Sequence, residues 1–485
     1  MIQILASLVL WLFFLSIATE AQAAVTTSIS PTGGTGNPAS LGTVITSGAS
    51  TVPTNMCSAN CVITGGTRAG SNLFHSFGDF SIGTLDGARF QTGLVNPVPD
   101  ASVANILGRV TGGNPSNIFG TLNSATYYPS ANLFLMNPAG IVFGPNATLN
   151  VGGSVTFTTA NYLRLADNAL FNATPNAASD ALLSAAPVAA FGFLGSNAEA
   201  ITVQGSQLSV APGQSLSLVG GNITIQSGTP DGGTVESAKL SALGGQINLA
   251  SVASPGEILT GTMEKAPNIN GQSFGALGTI QVLEQSVIDV SGNGGGTVLI
   301  RGGQLLLDNS TISANVTGPG PVIDGTESIG RGIDIQVSQD VLIQNGALID
   351  TSVVGNATSG VQYGGVHVKG DHIEVRGIAD FDTGNFVFTT IQANVGETIV
   401  GNSGNITLEG NSILVKDAGQ IQTVTNGAGN AGNITLKANQ SLDIDIALVQ
   451  SAAQQTFDAA GNIKTRATGD SGNIELASAH GNISL

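Results

Sequence analysis

The sequence predicts an all-β chain folded as a right-handed parallel β-helix, a solenoid roughly triangular in section with an N-terminal cap. Three observations predict it. The first is a three-strand repeat. Gly404-Asn405-Ile406-Thr407-Leu408 is followed by Ile413-Leu414-Val415 and Ile421-Gln422-Thr423, and the next unit runs Gly432-Asn433-Ile434-Thr435-Leu436, Leu442-Asp443-Ile444, Leu448-Val449-Gln450. Strands this short bury an apolar face only by stacking on neighbouring units. The second is the abundance of glycine, 67 of 485 residues, often beside Asn, Ser or Thr. These are residues that tolerate sharp corners. The third is charge: 9% of the chain is Asp, Glu, Lys or Arg, against about 25% in ordinary globular domains.

The elements follow in order. Ile2 to Ala18 is almost wholly apolar, and Ala21-Gln22-Ala23 has the small-x-small pattern of a signal-peptide cleavage site. The expectation is therefore a signal over residues 1–23 cleaved after Ala23, although its n-region has no Lys or Arg. A membrane anchor is the alternative, but the stretch is short for a span. Residues 24 to about 60 read as loop, with a strand at Leu41 to Thr46. From Val62 to Thr159 short strands alternate with Asn-Pro and Gly turns at Asn96-Pro97, Asn114-Pro115, Asn137-Pro138 and Gly144-Pro145-Asn146. The alanine-rich stretch 161–190 is the expected place for helical turns. From Ile201 the repeat emerges, with openers at Gly221, Gly245, Gly278, Gly296, Gly332, Gly365, Gly404, Gly432 and Gly472. Period-two alternation predicts that Ile406, Ile434 and Ile474 stack in one interior column and Leu408, Leu436 and Leu476 in another. The irregular N-terminal part is expected to cap one end of the coil. Gly481-Asn482-Ile483-Ser484-Leu485 stops inside a repeat strand, as expected of a fragment of a longer protein or a truncated reading frame.

Charge and cysteines narrow the function. The net charge of −17 arises from scarce basic residues, and the absence of a Lys/Arg patch argues against nucleic acid as a partner. Cys57 and Cys61 share one short loop, where a local disulfide is expected; zinc would need two more ligands nearby. No metal site or cofactor is expected, since neither the EF-hand spacing nor a glycine-aspartate nonapeptide occurs. Gly469-Asp470-Ser471-Gly472 matches a serine-protease nucleophile segment, but it sits where Gly429-Asn430-Ala431-Gly432 forms a corner in the preceding unit. The dinucleotide fingerprint matched by Gly427 to Gly432 is followed by a strand instead of a helix. The histidines, His75, His367, His372 and His480, are scattered among different units, and His367 is expected to face outward. Asp443 and Asp445 alternate without a basic neighbour, and no acid/base pair is expected from the repeat. No catalytic residue is assigned.

A resemblance enters between Asn72 and Thr159. Asn72-Leu73-Phe74-His75-Ser76-Phe77, Gly108-Arg109-Val110-Thr111-Gly112-Gly113-Asn114-Pro115-Ser116 and Asn132-Leu133-Phe134-Leu135-Met136-Asn137-Pro138-Ala139-Gly140-Ile141 resemble the N-terminal domain of filamentous haemagglutinin-like exoproteins of two-partner secretion systems. Phe143 to Ala147 and Val151 to Ser154 strengthen the likeness. The family's two asparagine-proline motifs, Asn-Pro-Asn-Leu and Asn-Pro-Asn-Gly-Ile, have counterparts in Asn114-Pro115-Ser116-Asn117 and Asn137-Pro138-Ala139-Gly140-Ile141. The resemblance implies a secretion domain over 24–280, a repeat filament over 281–485, and recognition by an outer-membrane β-barrel transporter. Two roles stay open for the asparagines: bracing turns, or contacting the transporter. The implied route is export through the periplasm of a Gram-negative bacterium to the surface or the medium. An adhesin follows as the leading reading, with host or neighbouring-cell carbohydrate or protein as its target. A β-helix polysaccharide lyase or hydrolase, and the stalk of a contact-dependent toxin, are the alternatives. Clustered acidic residues on one face would favour the enzyme, and an uncharged Ser/Thr/Asn face would favour adhesion.

Overall fold

The computed structural model describes residues 25–230, 233–260, 274–320, 332–355 and 357–485. The leader and Ala23 lie outside the described residues. Three parallel faces wind into a coil, as the three-strand unit predicts. The first face runs from Asn72–Ser81 through Asn105–Val110, Asn132–Met136, Val155–Thr158, Ser215–Gly220 and Gln246–Ser251 to Thr297–Gly302 and beyond. Its interior column is Leu73, Ile106, Leu133, Val155, Leu216, Ile247, Val298, Ile333, Val366, Ile406 and Ile434. A second column stacks Ile141, Ile201, Ile223, Ile280, Leu305, Val341, Ile373, Ile413 and Leu442. The third face is an eight-stranded sheet whose column holds Leu208, Leu240, Ile288, Ile312, Ile349, Ile391 and Ile421. All three columns meet in one continuous core. Each buried rung contributes about 1.5–3 kcal/mol of hydrophobic stabilisation.

The two expected columns are observed: Ile406 pairs with Ile434 and Ile434 with Ile474, while Leu408, Leu436 and Leu476 align beside them. Ile406 and Ile434 are fully buried, whereas Ile474 on the terminal coil is 43% exposed. The Asp470 segment stacks on the Asn430 corner, with Asp470 N donating to Asn430 Oδ1 at 2.8 Å. That is the structural role expected of it.

Four expectations need correction. Gly221 and Gly278 do not open first-face strands; Ile223–Gln226 and Thr279–Val282 belong to the second face. The Gly-polar-Ile signal marks any tight corner, and at Gly221 a Cβ would lie 2.0 Å from the Ala198 carbonyl oxygen. The first two strands of the last full units are also not separate. Ile406–Lys416 and Ile434–Asp445 each run unbroken around the corner, with a register shift between Gly410 and Ser412. An irregularity of this kind bends a strand without ending it. The alanine-rich stretch does hold a helical turn, Ala177–Asp180, but only that one; the rest is loop and the strands Tyr162–Leu165, Leu170–Asn172 and Val188–Phe193. Together with Gly256–Leu259 these strands form a four-stranded antiparallel sheet. Its Leu163, Leu165, Phe171, Phe191, Phe193 and Ile258 bury a second core against the outward residues Phe74, Leu107, Phe134 and Met136 of the first face. Tertiary burial overrides alanine's helical preference here. The fourth is charge: Arg301, Asp334 and His367, residues of different units from which no acid/base pair is expected, come together on the outward side of the first face.

The cap is antiparallel. Ser28–Pro31 pairs with the far end of Asn72–Ser81, and Thr43–Ser47 with Cys61–Gly65. Antiparallel pairing and the loop around the bonded Cys57 and Cys61 cover the edge that a parallel coil would expose.

Candidate functional site

The segment that carries the resemblance lies where cap, coil and outer sheet meet. Along Asn72–Ser81, alternation sends Leu73, His75 and Phe77 inward and Asn72, Phe74 and Ser76 outward. Phe74 meets Phe171 of the outer sheet edge to face at 5.2 Å. His75 is buried, stacked on Phe77 at 5.9 Å and edge-on to Phe90 at 5.3 Å, with Thr43 Oγ1 at 3.2 Å from Nδ1. Burial lowers its pKa to about 3, so the imidazole is neutral throughout the physiological range.

Asn72 begins a ladder on successive coils. Asn105 Nδ2 donates to Asn72 Oδ1 at 2.8 Å, Asn132 Nδ2 to Asn105 Oδ1 at 2.9 Å, and the Ser154 amide to Asn132 Oδ1 at 2.8 Å. Asn72 Nδ2 spends its own donors on the carbonyls of Ser184 and Ala186, at 2.9 and 2.8 Å. The ladder therefore ties three coils to the excursion that leads into the outer sheet.

The two Asn-Pro turns occupy the same corner of consecutive coils. Asn114 and Pro115 are exposed, and Asn114 Nδ2 donates to Asp79 Oδ1 at 2.9 Å. Asn137 is buried at 1% exposure. Its Nδ2 donates to the Asn114 carbonyl at 3.0 Å and to Ser116 Oγ at 2.9 Å, while its Oδ1 accepts from the Ala139 amide at 2.9 Å. Pro138 sets the turn, Gly140 completes it at φ +107°, and Ile141 re-enters the core. Asn137 thus clamps one turn onto the other, and both ends of its side chain are spent inside the protein.

Arg109 is the residue that sequence reasoning missed. It lies in the quoted Gly-Arg-Val-Thr stretch, yet nothing local marks it as buried. Its guanidinium is fully enclosed and forks onto Asp180 at 2.7 and 2.8 Å. Nε donates to Ser76 Oγ at 2.8 Å, the two terminal nitrogens reach the carbonyls of Asn172 and Ala39, and the group sits 5.1 Å over the Phe171 ring. One side chain joins coil, outer sheet, helix and cap. Beside the cap, Asn60, Val62, Asp86, Arg89, Thr121 and Asn123 line an open groove of about 360 Å³.

Farther along, the outward rows assemble charges that the repeat was not expected to bring together. Asp334 and His367 are register partners, and Arg301 lies on the preceding coil. Arg301 pairs with Asp334, and His367 Nδ1 stands 3.0 Å from Asp334 Oδ1, with Glu409 3.9 Å from Nε2. On the second face Glu374 lies within 3.6 Å of His372, Arg376 and Lys416. Arg301, Asp334 and His367 lie 33 positions apart in turn (334 − 301 and 367 − 334), and Glu374 lies 42 from Lys416 (416 − 374), so local spacing carries no signal of those pairs; His372, Glu374 and Arg376, in contrast, alternate along the single strand His372–Arg376. His367 does face outward as expected. Burial alone would raise the Asp334 carboxyl, but the His367 hydrogen bond and the Arg301 charge outweigh it and hold the pKa below the ordinary value. A carboxylate neutralised in this way is a strut, not a poised proton donor. Among the described residues no group of three or more His, Cys, Asp or Glu could hold a metal ion.

A capped parallel solenoid, sheathed by an antiparallel sheet and braced by stacked Asn-Pro turns, defines the class of this protein. The chain belongs to the TPS secretion domain family, whose model matches residues 42–300, more than half of the sequence. It is therefore an exoprotein of the two-partner secretion type, a family secreted by Gram-negative bacteria whose secretion domain implies an outer-membrane transporter as partner. The crystal structure of the HMW1 secretion domain from Haemophilus influenzae is similar over 85% of this chain and 95% of that one, at 14% identity and a TM-score of 0.41. No match was found among curated proteins.

Proposed function

We propose that the chain is an adhesin that crosses the inner membrane on its leader, passes the periplasm unfolded and is recognised by its transporter through the first coils. The observation that carries the export part is the coincidence of the matched residues, 42–300, with the coils that bear the cap, the Asn ladder, the stacked turns and the outer sheet. In this reading residues 1–23 are the signal, 24–280 the secretion domain and 281–485 the filament. Stacking runs through residue 280 without interruption. Asn72, Leu73, Phe74, His75, Asn114, Pro115, Asn137, Pro138, Gly140 and Ile141 build the secretion domain's scaffold, and exposed Asn114 and Pro115 are its candidates for direct transporter contact.

Adhesion is supported by the third face, whose outward rows are mainly Ser, Thr and Gln. The charged clusters on the other two faces are the observation that favours a polysaccharide-processing enzyme. Their members are paired with one another, however, which suits bracing better than catalysis. The test is export from cells carrying the transporter. The intact chain is expected in the medium or on the surface, and deletion of 42–300 is expected to retain it in the cell. Export of the deleted chain would overturn the reading. Binding of the exported protein to cell surfaces tests the adhesive part separately.

A further inference from the structure

The third face flanks its buried column with two outward rows. In its C-terminal half these hold Leu348, Thr390 and Gln420 in one row and Asp350, Gln392 and Gln422 in the other. Asp350 is the one charge among the six, and Asn315 and Ser352 already hold its carboxylate. The amides are only partly used. Gln422 Nε2 donates to Gln392 Oε1 at 3.1 Å, which leaves Gln392 Nε2 and Gln422 Oε1 without a partner among the described residues. Parallel strands space such groups regularly, at about 4.8 Å.

Where the chain enters this face it makes a hairpin, Ile378–Asp380 against Asn385–Val387. The hairpin is rooted at the corner, with Val387 against Gly346 and its carbonyl oxygen beside Gly377. Phe381 is 66% and Phe388 53% exposed, and Phe386 meets Phe381 edge to face at 5.3 Å. Phe388 directly precedes Thr389–Gln392, the strand that carries Thr390 and Gln392. In the N-terminal coils, by contrast, phenylalanines such as Phe74, Phe134 and Phe157 are buried. Exposed rings in one place therefore mark a surface kept for contact.

We propose that the hairpin and the adjoining C-terminal half of the third face bind a neutral oligosaccharide. Pyranose C–H faces stack on aromatic rings, and sugar hydroxyls both donate to and accept from amides and hydroxyls, which this ladder supplies. An anionic glycan would need cations to pair with. These two rows have no Lys or Arg between Leu348 and Gln422, and the chain carries a net charge of −17.

The inference rests on the adhesive reading and names its ligand class. The test is binding of the full-length exported protein to immobilised neutral hexose and N-acetylhexosamine oligosaccharides, with sulfated and sialylated counterparts alongside. Neutral glycans are expected to bind, and the triple variant Phe381→Ala, Phe386→Ala, Phe388→Ala to weaken that binding at least tenfold. Gln392→Ala with Gln422→Ala is expected to weaken it by a similar factor while the circular dichroism of both variants stays unchanged. Binding confined to the anionic panel would overturn the proposal, as would neutral-glycan binding that both variants retain. Cell adhesion without any glycan binding would also overturn it but leave the adhesive reading standing; loss of cell adhesion altogether would remove both.

Discussion

At the scale of single residues, two buried polar groups of the secretion domain make opposite demands. His75 is buried neutral, with its pKa lowered to about 3, whereas in the unfolded chain it titrates near 6.5. Between those values the unfolded state binds the extra proton, so stability is full above about pH 6.5 and falls as pH drops toward 3. By pH 5 the loss amounts to roughly 2 kcal/mol. Hydrogen exchange of the Asn72–Ser81 strand at pH 7.5 and pH 5, corrected for intrinsic rates, measures this. The His75→Gln variant is expected to show a markedly smaller difference, and an equal difference would dismiss His75 as the source. Arg109 is charged and buried, and it depends on Asp180. Arg109→Ala leaves the largely enclosed Asp180 carboxylate, 10% exposed, without its partner and is expected to cost up to about 3–5 kcal/mol. Arg109→Met combined with Asp180→Leu is expected to cost less than either single truncation, because no charge is then stranded. Thermal melts followed by circular dichroism separate these outcomes, and additive losses would show that the two residues act independently.

At the scale of elements, the stacked turns and the outer sheet differ in how far the sequence reveals them. Asn-Pro at 114–115 and 137–138 announces two turns by local chemistry, but the clamp between them, from Asn137 Nδ2 to the Asn114 carbonyl, appears only once coils are stacked. Asn137→Ala removes three hydrogen bonds of a buried side chain and strands Ser116 and a carbonyl; a cost of about 1–3 kcal/mol is expected. Asn114→Ala, losing one exposed bond to Asp79, is expected to change stability by under about 0.5 kcal/mol. If Asn114→Ala nevertheless blocks export while Asn137→Ala only lowers the melting temperature, Asn114 contacts the transporter. Equal effects on export and stability in both would assign both to bracing. The repeat columns are legible because one apolar-polar-apolar triplet recurs, as Ile406-Thr407-Leu408, Ile434-Thr435-Leu436 and Ile474-Glu475-Leu476. The outer sheet is not, because its fourth strand, Gly256–Leu259, lies 63 residues beyond Phe193. Its alanine content also points locally toward helix. Arg109 and Asp180, 71 positions apart, and Arg301 and Asp334, 33 apart, were hidden for the same reason: loops of unequal length separate residues that the coil superimposes.

At the scale of the whole molecule, contacts between coils are regular in space and short in sequence. Asn433 follows Asn405 by 28 residues and Asn473 follows Asn433 by 40, each amide bonding to the asparagine side chain one coil back. A chain of this kind can fold by adding one coil to the last, each new strand finding a preformed edge. If the protein leaves its transporter unfolded, every coil that closes outside lowers the free energy of the exported segment and biases its transit outward. Ile406→Asp and Ile434→Asp each put an unpaired carboxylate into a fully buried column, a burial that costs several kcal/mol. Both are expected to slow the appearance of protein outside the cell, with the chain held in transit. Ile474→Asp, at a site 43% exposed, is expected to slow it far less. Pulse-chase secretion of the three variants decides the matter. Rates that stay at the wild-type value, while protease digestion shows the exported coils to be disrupted, would mean that stacking supplies none of the pull. A graded slowing that follows burial would tie export to the interior columns of the solenoid.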